Sequence, residues 1–231
     1  LDRAALDTIS ATRPIVVWQR SCHEFFLNTA AIEKLGLTAE QMAGPGAASE
    51  MVDFNAGHWW ESGSNLVLVP LSPILMSPER IAAGLHQMVA CLRANGVTAI
   101  NEPGIVWAVE PWDVYQEILG SDETPLLSTF LVDARSQADA GMDPADAVAD
   151  AEAQIAKASS GKVRLLPKQV KLFADGAIIS QLMQMRDPYL DDTGHPDLCH
   201  HGEWMMQPDT FRAFARVYWN AYWQLHIHVN G

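Results

Sequence analysis

The sequence predicts an α/β protein with a parallel sheet, either part of a (β/α)8 barrel of the TIM type or an open doubly wound sheet, with an irregular α+β region in its N-terminal third. Two observations carry that reading. Helix and strand signals alternate from residue 77 to residue 231, the pattern of a parallel sheet with crossover helices. Residues 1–76 show no such alternation, which places a boundary between 76 and 77.

In the N-terminal third, residues 13–18 read as a short strand. Asn28 can cap a helix over 29–35, and Gly36 suits its C-terminal end. Residues 43–49 and 61–65 read as loops, with the aromatic group His58, Trp59 and Trp60 between them. From Ser77 the signals sharpen. Ser77-Pro78-Glu79 is a helix start, and Ile81, Leu85, Met88, Val89 and Leu92 follow at helical spacing up to Asn95-Gly96. Residues 97–100 form the first strand, 111–119 the second helix and 126–132 the second strand. Asp143-Pro144 opens the third helix. Residues 163–166 and 169–174 read as one or two strands, 208–222 as a helix and 224–229 as the last strand. Four such strands make half of an eight-stranded barrel, and an open doubly wound sheet fits the same alternation. No GxGxxG or Walker A signature follows any strand, so nucleotide binding has no positive support.

Of the 231 residues, 48% are hydrophobic and 19% charged, a soluble globular profile. The net charge of −13 makes phosphate backbones and anionic membrane surfaces poor candidate partners. Cys22, Cys91 and Cys199 form no disulfide framework and read as reduced, mostly buried thiols of a cytoplasmic protein. No apolar run reaches membrane-spanning length. A start without methionine and an end inside a strand predict truncation at both ends.

Several residues can carry chemistry. Lys171 lies in Val170-Lys171-Leu172-Phe173-Ala174-Asp175-Gly176, where alternation sets Lys171 and Phe173 on one strand face. Strands of an all-parallel sheet are normally apolar on both faces, so a lysine there is costly unless paired or chemically altered. The plainer alternative is a strand-edge lysine reaching solvent along its stem. His226 and His228 share a face of the last strand and can bind a metal such as zinc, or serve as core or rim histidines. The His-rich stretch 194–201 matches no common zinc spacing and reads as a substrate-facing loop. His23 is by default a surface histidine. Glu102, just after a predicted strand, is a solvated loop acid or a residue at the mouth of the sheet.

Together these segments resemble the YtcJ-like group of the amidohydrolase superfamily (amidohydrolase family 3). The resemblance rests on Val170 to Ala177 followed by Asp187-Pro188-Tyr189, on Trp223 to Gly231, on Gly96-Val97-Thr98-Ala99-Ile100, and on Arg13 to Val17 with His23 and Asn28. It implies a metal-dependent hydrolase acting on amide or other non-peptide C–N bonds, with this chain covering about strands 2–5 of the barrel. Residues 1–76 would be its inserted region. Lys171 would be the carboxylated lysine that bridges two metals, and His228 the fifth-strand ligand. His226 would be a neighbour, and His23 would approach substrate. Asp175 and Glu102 join them as candidate substrate-side residues. The implied cofactor is zinc, one or two divalent ions, activating a water.

The sequence departs from the group at Ser21-Cys22 before His23 and at Ile178-Ile179-Ser180-Gln181 after Gly176, which bears on substrate class. The group's first-strand His-x-His, sixth-strand histidine and eighth-strand aspartate, its expected general base, have no counterpart among these residues. The chain alone is therefore expected to be an inactive fragment. A homodimer is compatible with the reading. Two other functions remain open on the residues themselves: a non-catalytic binding domain, and a (β/α)8 enzyme using Lys171 as a Schiff-base nucleophile.

Overall fold

The computed structural model describes residues 1–20, 22–42, 51–103, 112–158, 161–191 and 193–231. The predicted loop at 43–49 and the helix start at 111 lie outside them. The chain forms two compact units. One comprises Leu1–Ser77 with Gly176–Leu182, and the other Pro78–Asp175 with Met183–Gly231.

The first unit contains helix α1 (Arg3–Ile9), strands β1 (Val16–Trp18) and β2 (Glu24–Leu27), and helices α2 (Thr29–Leu35) and α3 (Ala39–Met42). Strands β3 (Val52–Asp53) and β4 (His58–Trp60) and helix α4 (Ser64–Leu75) follow. The strands make an antiparallel sheet in the order β1-β2-β4-β3. Phe25 and Trp59 pair across it and are fully buried, in a core shared with Leu27, Ile32, Val67 and Leu71. The buried Asn28 ties this unit together. Its Oδ1 accepts from the N–H groups of Ala31 and Ile15, and its Nδ2 donates to the carbonyls of Ser10 and Arg13. One side chain thus caps α2 and fixes the approach to β1. Gly36 ends α2 at φ +67°, as its position predicts.

Two readings of this region are corrected. Residues 61–65 are not loop: Glu61–Gly63 is a 3-10 turn leading into α4. That helix contains Pro70 and Pro73, which argue against a helix from sequence because each removes a backbone donor. Burial of Val67 and Leu71 overrides the local penalty. His58, Trp59 and Trp60, which show no clear period alone, form β4 because β2 and β3 pair with both its edges.

The second unit runs α5 (Pro78–Ala94), β5 (Ala99–Glu102), α6 (Trp112–Leu119), β6 (Leu127–Asp133), α7 (Ala134–Asp139), α8 (Ala147–Ala158), β7 (Val163–Phe173), α9 (Pro208–Asn220) and β8 (Gln224–His228). All strand pairs are parallel and follow chain order, β5-β6-β7-β8. A doubly wound sheet reverses its order at a switch point. These four strands do not reverse, as expected of a barrel segment.

The core lies on the helix-facing side of the sheet, where Phe130, Val132, Val170 and Leu172 meet Leu119, Phe214 and Tyr218. Each fully buried aliphatic or aromatic side chain there contributes about 1.5–3 kcal/mol relative to exposure. The two predicted segments around residue 168 are one strand, β7, with Lys168 at φ +55° and an irregular register opposite Phe130 and Val132. After the polar Lys168-Gln169 step the strand is buried on both faces, at Val170, Lys171 and Leu172. Helix α7 is an addition to the predicted elements. Asp133 caps it directly at the strand end, leaving no turn signal between the two. The cysteine expectation is also corrected: Cys22, Cys91 and Cys199 are free but exposed.

Candidate metal centre

Strand pairing decides which side chains share the face opposite the core. Asp133, Lys171 and His226 are register partners on β6, β7 and β8, and Phe173 pairs with His228. The period of two then sets Gln169, Lys171 and Phe173 on one face of β7, with Gln224, His226 and His228 beside them. Lys171 and His228 are therefore brought to the same face of adjacent strands, near their C-terminal ends, where (β/α)8 proteins build their active sites.

Lys171 is buried, with 8% of its surface exposed. Its Nζ lies 4.6 Å from the centroid of the Phe173 ring. Desolvation holds its ammonium below the usual lysine range, against the opposing pull of the Asp133 and Glu102 carboxylates. Asp133, also buried, accepts from the Arg135 N–H and the Ser136 hydroxyl. Burial nonetheless raises its carboxyl above the ordinary value. Glu102 is the exposed last residue of β5.

The two histidines differ. His226 Nε2 lies 2.9 Å from Gln169 Oε1, an acceptor, so that nitrogen carries the proton. His228 Nε2 lies 2.8 Å from Asn230 Nδ2, a donor, so the single lone pair of this nitrogen is engaged in accepting that hydrogen bond. A metal-ligating imidazole needs that lone pair. Lys171 and His228 could act as a donor set only with the Asn230 amide displaced from Nε2. It is a partial set: among the described residues no group of three or more His, Cys, Asp or Glu can hold a metal ion.

Asp175 is 1% exposed, and its carboxylate accepts from three backbone N–H groups, those of Asn230, Gln184 and Gly231. It ties the end of β7 to the turn after β8, the turn that carries Asn230 onto His228. The histidines of 194–201 do not converge on one point. His195 Nδ1 meets Thr193, His201 Nδ1 meets the Met185 carbonyl, and the His200 ring lies against Tyr189.

His23 belongs to the other unit. Its Nδ1 is 3.0 Å from Glu61 Oε1. Sequence reasoning missed Glu61, Asp133 and Arg135. Arg135 sits over the Phe173 ring at 5.9 Å and 3.5 Å from the Asp139 carboxylate. An acid closing a predicted apolar strand was an available signal for Asp133. Glu61 lay in a stretch that reads as loop, and only the fold reveals its burial.

Comparison with solved structures supports the fold. An uncharacterized metal-dependent hydrolase from Pyrococcus horikoshii OT3 superposes with a TM-score of 0.60 at 16% identity, covering 100% of this chain and 41% of that one. An uncharacterized metal-dependent hydrolase from Pyrococcus furiosus gives a TM-score of 0.57 at 17% identity, covering 100% and 43%. The chain thus spans about two-fifths of the length of these structures. No curated protein matches the sequence. The model of the amidohydrolase family matches residues 2–231, taking in both units and every residue placed above. With four parallel strands in barrel order and a buried lysine beside a histidine on one face, this whole-length match is decisive: the chain belongs to the amidohydrolase family.

Proposed function

We propose that this chain supplies part of the active site of a metal-dependent hydrolase that cleaves amide or other non-peptide C–N bonds of a small molecule. The observation that carries the reading is the shared face of Lys171 and His228 on adjacent parallel strands, with Lys171 buried. Lys171 and His228 would hold one or two divalent ions, zinc by ligand chemistry. When bound, such an ion lowers the pKa of a water and polarises the scissile carbonyl.

The chain's own residues prepare the site. Carbamate formation requires a neutral lysine amine, which attacks carbon dioxide and releases a proton. Desolvation favours that neutral form, and carboxylation replaces a buried cation with oxygen donors. Asn230 holds the His228 ring through Nε2 until a metal takes its place, and Asp175 fixes the turn that carries Asn230. His226, held by Gln169, lines the same face and would meet substrate, as would Glu102 at the end of β5. His23 would contact substrate from the inserted region. Two protein ligands leave a four-coordinate site incomplete, so activity is assigned to the full-length polypeptide and residues 1–231 alone should be inactive. A cytoplasmic location, and a homodimer if the protein associates, complete the reading.

The test is a chelation and readdition experiment on the full-length protein. Dialysis against a chelator should abolish hydrolysis of an amide and N-acyl substrate panel, and zinc with bicarbonate should restore it. Borohydride trapping of a carbonyl substrate on Lys171, with activity indifferent to chelator, would establish the Schiff-base alternative instead.

A further inference from the structure

The Glu61–His23 pair stands apart from the strand-borne residues and lies wholly within the first unit. Three features converge on Glu61. It is a carboxylate residue with 7% of its surface exposed. Its backbone is in the left-handed region, at φ +42°, where a residue with a Cβ is strained. Its Oε1 lies 3.0 Å from His23 Nδ1 and 3.3 Å from the backbone nitrogen of Ala177. Gly176 permits this approach, since a Cβ there would sit 3.0 Å from the same oxygen and 2.7 Å from the Leu182 backbone and side chain. Burying a carboxylate in a strained backbone costs free energy, and strain of this kind persists where the surrounding structure holds it in place. The first unit does so by anchoring the His23 carbonyl twice, to the Glu61 N–H at 2.9 Å and to the Ser64 hydroxyl at 3.1 Å.

We propose that Glu61 is a positioning residue that holds His23 as its Nδ1–H tautomer and fixes the Gly176–Leu182 segment through the same carboxylate. The inference rests on the reading above that His23 meets substrate. A carboxylate only accepts, so it selects the tautomer with the proton on Nδ1, making Nε2 the acceptor nitrogen. The His23 side chain keeps 30% of its surface exposed while that of Glu61 keeps 2%, so the acid is the buried support and the imidazole the accessible group. A freely rotating histidine would offer either nitrogen. Here ring orientation and proton position are set before a ligand arrives, and the backbone directly after Asp175 is held by the same group.

The experiment is two-bond 1H–15N NMR of the histidine rings in the full-length protein, with His23 assigned by its loss in His23→Asn. Wild type should show the Nδ1–H pattern for His23 at a pH where the ring is neutral. Glu61→Ala should convert it to the intrinsically preferred Nε2–H pattern. Glu61→Gln keeps an acceptor oxygen and should retain Nδ1–H, which guards against a folding artefact. The His58 signal, set by its own contact with Glu24 at 3.0 Å, should stay constant in all variants and report an intact sheet. In the hydrolysis assay Glu61→Ala should lower kcat/KM by about 10- to 100-fold, as for other supporting groups. The double variant with His23→Asn should lose no more than His23→Asn alone. An unchanged tautomer in Glu61→Ala, or losses that multiply, overturns the proposal. If wild type binds no metal and hydrolyses nothing, the hydrolase reading fails and the tautomer measurement alone decides the role of Glu61.

Discussion

At the residue scale, the stability of the chain and the role proposed for Lys171 pull in opposite directions. Its ammonium is buried and its pKa lies below the unfolded value near 10.5, so the unfolded chain binds more protons between the lowered value and 10.5. Stability therefore rises with pH through that window, and at neutral pH the buried cation destabilises the metal-free chain. Lys171→Met should raise the urea midpoint of the metal-free full-length protein at pH 7 while cutting hydrolysis by at least about 100-fold, more than loss of a supporting group. A lowered midpoint would show that Asp133 and Glu102 already compensate the charge. Asp175 is the opposite case. Three backbone N–H groups converge on it, so Asp175→Ala should cost about 1–3 kcal/mol for each donor it leaves unmatched, read from the same urea curves. Metal affinity should fall with it, because the turn bearing Asn230 loses its anchor.

At the element scale, legibility followed from how local each signal is. Helix α5 was readable because its proline start, apolar spacing and terminating Asn95-Gly96 all lie within the segment. Helix α2 was readable through Asn28 and Gly36. Helix α4 was not, because its prolines speak against it and only packing of Val67 and Leu71 answers them. The same divide runs through the site. Lys171 and the His226–His228 pair stood out as polar residues in apolar strands, whereas Glu61 acquires meaning only when its fold brings it to His23. The tie between α8, α9 and the end of α7 was equally hidden. The Tyr218 hydroxyl lies 2.7 Å from Gln137 Oε1 and 3.0 Å from the Ala147 carbonyl, in a fully buried setting that pushes its ionisation well above the usual tyrosine value. Tyr218→Phe leaves Gln137 Oε1 short of a donor and should destabilise by about 1–3 kcal/mol in thermal or urea unfolding.

At the scale of the whole molecule, a chain of net charge −13 sets two buried, oppositely charged side chains, Asp133 and Lys171, as register partners on one sheet face. Asp133 gives that face a pH signature. Its folded pKa lies above its unfolded value near 3.8, so the native state binds the proton more tightly. The favourable contribution is complete below that unfolded value and is lost as pH rises through the folded one. Asp133→Asn, which keeps a capping oxygen for α7, should gain stability relative to wild type between pH 4 and pH 7. Equal differences at both pH values would remove burial as the cause.

The family and the barrel order of the strands are properties of the chain as a whole, while the proposed metal site rests on two residues brought together by one register. Elemental analysis of the purified full-length protein beside Lys171→Ala and His228→Ala tests that pairing most directly. Wild type should carry one or two divalent ions per chain, with each variant losing most of that metal while remaining folded. Full metal occupancy in both variants would contradict the assignment of Lys171 and His228 as ligands.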